Sequence, residues 1–176
     1  MNPSEFMTMP PKSLGISTSR DWYHKLVWES RRLDHLRNDG GYEFAYSFIN
    51  AALTAWHMAD WVHAEFGDEG KAKFPQMRHL HAYLQNVSGY LTICREVADG
   101  SKHAVLRNYD PEIGTSRVSV QLDGESEIRE WVMWCIDDGA VKHQPQQVIR
   151  SALYFWTDFL SSDMKCWGIP GSGLTV

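Results

Sequence analysis

The sequence predicts a mainly α protein: a four-helix bundle with an antiparallel β-hairpin inserted before the last helix. Three observations carry that reading. Apolar residues recur at three- and four-residue steps through three segments before residue 104 and one after residue 144. Glycine or proline punctuates each segment. Between residues 116 and 136 the apolar spacing drops to two, the period of a half-buried strand.

The elements follow in order. Residues 1–18 are polar, carry three prolines and end Ser/Thr-rich, which predicts a mobile leader. Ser19 is placed to cap a first helix with Asp21 in its first turn and Trp22, Leu26, Leu33 and Leu36 along one face, stopped by Asn38-Asp39-Gly40-Gly41. A second helix runs from Tyr42 to about Phe66, with Phe44, Phe48, Ala51, Ala55, Ala59 and Val62 forming its stripe, and Gly67-Asp68-Glu69-Gly70 ends it. Pro75 opens a third, whose seam is Leu80, Leu84, Val87, Leu91, Cys94 and Ala98, with Gly100 as its stop.

Val118, Val120 and Leu122 then alternate, Asp123-Gly124 offers a hairpin turn, and Ile128, Val132, Trp134 and Ile136 continue the alternation to a second turn at Asp137-Asp138-Gly139. Pro145 starts the last helix, with Val148, Ile149, Ala152, Leu153, Trp156, Phe159 and Leu160 on its apolar face, and Gly168-Ile169-Pro170-Gly171 ends it. One domain is expected over residues 19–167, with a short tail at 168–176. Short connections between the first three helices favour an up-down arrangement.

Composition narrows the function classes. With 176 residues, 43% of them hydrophobic, the chain buries a single core. No apolar run approaches the length of a membrane span and no secretory signal core is apparent, so no membrane partner and a cytoplasmic location are expected. Cys94, Cys135 and Cys166 are isolated in apolar stretches, the pattern of buried thiols in a reducing compartment. The net charge of −5 is uneven: residues 71–107 hold six bases against two acids, whereas 108–140 hold eight acids against two bases. That disfavours a broad nucleic-acid surface and leaves room for one local anion site.

Two clusters are candidates for chemistry. Arg95, Asp99 and His103 are spaced i, i+4, i+8, with Lys102 alongside, so a helix that continues past Gly100 lines them up. An imidazole that moves a proton near neutral pH and a guanidinium that neutralises phosphorane charge are the parts of metal-independent phosphodiester cleavage, with Arg95 and His103 catalytic and Asp99 and Lys102 binding. The same residues also read as an i, i+4 ion pair with cations at a helix C-terminus. The second cluster is His57, Asp60 and His63. Asp60 reaches either histidine, but the two imidazoles point about 120° apart, so a metal shared by all three is disfavoured and no metal or cofactor is expected. Asp60 orienting one histidine, with Trp56 and Trp61 filling core or dimer contacts, is the expected arrangement. His79 and His81 read as solvated surface.

The order of helices, the alanine-rich segment Phe48-Ile49-Asn50-Ala51-Ala52-Leu53-Thr54-Ala55-Trp56 and the polar block from Arg95 to His103 resemble the HEPN-type helical bundles, over roughly residues 20–165. These are small proteins common in bacterial and phage defence and in toxin–antitoxin modules. Active members carry an Arg followed by a polar residue and, four to six residues later, a His, and cleave RNA without metal at a dimer interface. Here Glu96 follows Arg95 and seven residues separate Arg95 from His103, while Arg107-Asn108 has the Arg-polar start without a His after it. The resemblance implies a homodimer that binds RNA or a nucleotide, with ribonuclease activity, or a non-enzymatic relative of the same fold that engages a protein partner.

Overall fold

In a computed structural model that describes residues 14–102, 114–121 and 130–163, the chain is a helical bundle with a small antiparallel sheet before its last helix. The helices are α1 (Ser19–His35), α2 (Tyr42–Glu65), α3 (Asp68–Lys73), α4 (Met77–Val87), α5 (Gly89–Lys102) and α6 (Pro145–Asp158), the last continued by one π-helical turn at Phe159–Asp163. The strands β1 (Gly114–Gln121), β2 (Glu130–Asp137) and β3 (Lys142–His143) lie in the order β1-β2-β3. Among the described residues no helix is long and apolar enough to cross a membrane.

α2 is the axis of the core. Ala51, Ala52, Ala55 and Ala59 are fully buried along it, and their small side chains let neighbouring helices approach its backbone. Two indoles use that approach: Trp22 Nε1 of α1 donates to Thr54 O, and Trp156 Nε1 of α6 donates to Ala55 O, each at 2.9 Å. A helical carbonyl retains a second lone pair after its i+4 bond, so neither indole competes with the helix. Trp22 also stacks on Trp61, with centroids 5.4 Å apart. At one end of the α1–α2 pair the Glu65 carboxylate accepts from Ser19 N and Oγ; at the other, Arg32 reaches Glu43 at 3.3 Å. The two helices are therefore antiparallel, as their short connection predicts.

Several boundaries differ from the sequence reading. Thr18 rather than Ser19 caps α1, in a reciprocal box with Asp21, because Ser19 is engaged by Glu65. Bonds from the Ser17 N–H, the Thr18 hydroxyl and their neighbours hold the Asp21 carboxyl below its ordinary range. The Gly67–Gly70 segment is not only a stop but the start of α3, with acids in its first turn and lysines in its last.

The expected third helix is two helices. Ser88 adopts an extended backbone, its N–H closes α4 on Leu84 O, and its Oγ accepts from Leu91 N to open α5. The break rotates Val87 out of the expected seam, leaving it 48% exposed. Gly100 does not stop the helix: α5 runs through it to Lys102.

The hairpin register pairs Gly114 with Asp137 and Gln121 with Glu130. A two-residue turn at Asp123-Gly124 would place Gln121 opposite Ser126, four residues short of the observed partner. Asp123-Gly124 itself lies outside the described residues, as do the 168–176 tail and Cys166. The second turn is as expected. Gly139 takes positive φ, and Asp138 accepts from the N–H groups of Ala140 and Val141 and contacts His143 Nε2 at 2.7 Å.

Candidate functional site

α2, α4 and α5 bring part of each sequence cluster, His57–Asp60 and Arg95–Asp99, within electrostatic reach of His81. On α2, the i, i+3 spacing puts His57 Nδ1 2.7 Å from Asp60 Oδ2, both side chains partly exposed. With the carboxylate accepting from Nδ1–H, the basic lone pair of His57 is on Nε2. On α4, His81 lies against Trp56 of α2, ring centroids 4.5 Å apart. On α5, Arg95 donates from Nη1 to Gln85 Oε1 of α4 and pairs through Nε with Asp99 at 3.5 Å.

His81 is where the electrostatics meet. Burial pushes its imidazole below the ordinary value of 6.5; next in weight is Asp60, which pulls the other way, followed by Arg95, His57 and Asp99. The ring is therefore neutral at pH 7, with carboxylates of α2 and α5 and the Arg95 guanidinium all within electrostatic reach. His81 is a residue that sequence reading placed on the solvated surface. The contact that half-buries it comes from Trp56, twenty-five residues earlier on another helix, and leaves no local signal. His79 is exposed, as expected.

The remaining candidates separate. His63 turns its Nε2 to Phe74 O at 3.0 Å, beside the Phe66 ring, away from the His57–Asp60 pair. Among the described residues no three His, Cys, Asp or Glu side chains are grouped to hold a metal ion. Lys102 is the last residue of α5, about two turns beyond Arg95. His103 lies outside the described residues. Cys94 is fully buried and its thiol is pushed up to about 12, so it stays protonated at neutral pH, the inert state expected of a core cysteine. Cys135 is buried as well.

The chain matches no protein-family model, no curated protein and no solved structure. Chemistry must therefore be read from the site. The face holds one histidine with a fixed tautomer, one neutral histidine packed on an indole, and one guanidinium braced by Gln85 and Asp99. Proton transfer by the imidazoles and contact of Arg95 with an anionic oxygen need no further group. The i, i+4 pairing of Arg95 with Asp99, the plainer reading of that helix stripe, is present too, and it orients the guanidinium.

Proposed function

We propose that the protein is a HEPN-like bundle that binds RNA or a nucleotide on the α2–α4–α5 face and transfers protons there without metal, in a cytoplasmic defence or toxin–antitoxin setting. One observation carries the reading: Gln85 of α4 bonds both the Arg95 guanidinium of α5 and the His81 carbonyl, and His81 packs on Trp56, next in sequence to the His57–Asp60 pair of α2, although these residues are dispersed over the chain. Arg95 takes the phosphoryl oxygen. His57, its tautomer set by Asp60, takes the proton of the attacking hydroxyl at Nε2 and returns it to the leaving oxygen as the phosphodiester P–O bond breaks, while His81, neutral at pH 7, serves as a hydrogen-bond partner beside it. His103 and Lys102 remain part of the proposal as the continuation of the Arg95 stripe.

The test is binding and cleavage of a fluorescein-labelled single-stranded RNA and binding of ATP, in EDTA, by the parent chain and by Arg95→Ala and His57→Ala. The expected result is binding by the parent, weakened at least roughly tenfold by Arg95→Ala, with cleavage, where present, lost in His57→Ala. Equal behaviour of parent and folded variants toward both probes overturns the reading.

A second reading, a non-enzymatic interaction module, is favoured by a separate observation. Trp28, Tyr42 and Tyr46 form an aromatic patch on α1 and α2, 58–65% exposed, with Arg32 over the Trp28 ring and paired to Glu43. Sedimentation of the parent and of Tyr46→Glu tests the patch: self-association abolished by the variant makes it an interface, and a lone monomer at micromolar concentration counts against the module.

A further inference from the structure

The opposite side of α5 faces a second feature, independent of the polar face. A half-open cavity of about 350 Å³ lies between the first half of α2, the last two turns of α5 and β2. Phe44 and Phe48 of α2, Val97 of α5, and Trp134 and Ile136 of β2 make its walls, with Pro145 beside them. At 100° per residue, Glu96, Val97, Gly100 and Ser101 share the helix side turned away from Arg95 and Asp99.

Three properties distinguish this space from a packing defect. Its aromatic wall is fixed: Trp134 exchanges two backbone bonds with the Asn38 amide and donates Nε1 to Gly41 O. Its rim is kept clear, since a Cβ built on Gly100 would meet nothing within 4 Å. Its volume lies at the small end of the range for small-molecule sites, enough for one substituted ring. The charge pattern then selects the ligand. Glu96 is the one ionisable group among the described residues lining the cavity; it is 5% exposed and lies 3.9 Å from Arg95, so no cation among the described lining residues faces the space. The apolar walls match an apolar ligand, whereas an anionic one would give up its water with no cation among the described lining residues to receive it.

We propose that this cavity is a binding site for a small, uncharged, apolar ring compound. Indole and toluene are the probes, with benzoate as the anionic comparison. Binding is read from the methyl resonances of Val97, Ile49 and Ile136 in the full chain. The expected result is saturable shifts with indole or toluene and none with benzoate at equal concentration. Gly100→Leu, which fills the rim from a helical position that tolerates it, should weaken binding at least roughly tenfold while amide spectra away from α5 stay in place. Val97→Phe, on the adjacent wall, should reproduce that loss and guards against a folding artefact of the first variant. Absence of methyl shifts at millimolar probe, benzoate binding as well as toluene, or undiminished binding by both folded variants overturns the proposal. RNA binding through Arg95 is unaffected by any of these outcomes.

Discussion

The imidazole of His81 sits against the indole of Trp56 with ring centroids 4.5 Å apart, joining α4 to the middle of α2. The contact withdraws His81 from water, and burial lowers its affinity for a proton despite the pull of Asp60; Arg95 adds to the lowering.

A pH dependence follows, with a definite sign. Above the ordinary value of 6.5, neither the folded nor the unfolded chain holds a proton at His81, and stability is complete. As pH falls below that value the unfolded chain takes up a proton that the folded site resists, so stability declines until the folded site also protonates. His81→Gln should flatten that decline. Urea unfolding of parent and variant at about pH 7 and about pH 5.5 measures it. Parallel losses in the two proteins would show that the Trp56 contact does not control the proton.

The turn between β2 and β3 gives a second titration. Hydrogen bonding from His143, reinforced by the Val141 and Ala140 N–H groups, lowers the Asp138 carboxyl to about 2. A depressed carboxylate stabilises the fold above its unfolded value of 3.8, and that contribution disappears as pH falls through about 2. Carboxyl carbon shifts should place the Asp138 midpoint near there in the parent and clearly higher in His143→Ala. An unmoved midpoint would assign the lowering to the backbone donors alone.

Two glycines predict opposite outcomes for the same substitution. At Gly100 of α5 a new methyl enters open space on a helical backbone, so Gly100→Ala should stabilise by about 0.5–1 kcal/mol. At Gly70 of α3 the methyl would lie 2.6 Å from Phe66 Cγ and 2.8 Å from its Cβ, and the buried ring is stacked on Phe74. Gly70→Ala should cost about 1–3 kcal/mol. Thermal midpoints of the two variants decide both, and a shift of the same sign in each would contradict the packing described.

These cases show what was legible in the sequence. α2 was, because twenty-four residues of uninterrupted three-four stepping have no alternative period to compete with. The break at Ser88 was not. Leu84, Val87 and Leu91 keep the helical step across it, and the interruption comes from one hydroxyl that caps the next helix. Gly100 read as a stop because glycine usually marks one, yet here it has ordinary helical backbone. At the site, the His57–Asp60 pair was visible from i, i+3 spacing. The approach of Arg95 and His81 to it depends on how α4 and α5 pack on α2, which no local spacing encodes.

The last prediction concerns the free edge of the sheet. β1 covers one edge of β2 along its length, whereas β3 pairs only with Ile136 and Asp137 on the other. The N–H and C=O of one residue point to the same edge of an antiparallel strand, so Trp134 would expose both on the open side. Asn38, in the α1–α2 connection, takes the place of a strand there: its Oδ1 accepts from Trp134 N at 2.8 Å and its Nδ2 donates to Trp134 O at 2.9 Å. Asn38→Ala removes both partners, and Asn38→Asp turns a carboxylate oxygen toward the Trp134 carbonyl. Each should cost about 1–3 kcal/mol, with the Trp134 amide losing its protection from hydrogen exchange ahead of the β1-facing amides of β2. If that amide exchanges at the parental rate in both variants, Asn38 is not what holds this edge or fixes the wall of the neighbouring cavity.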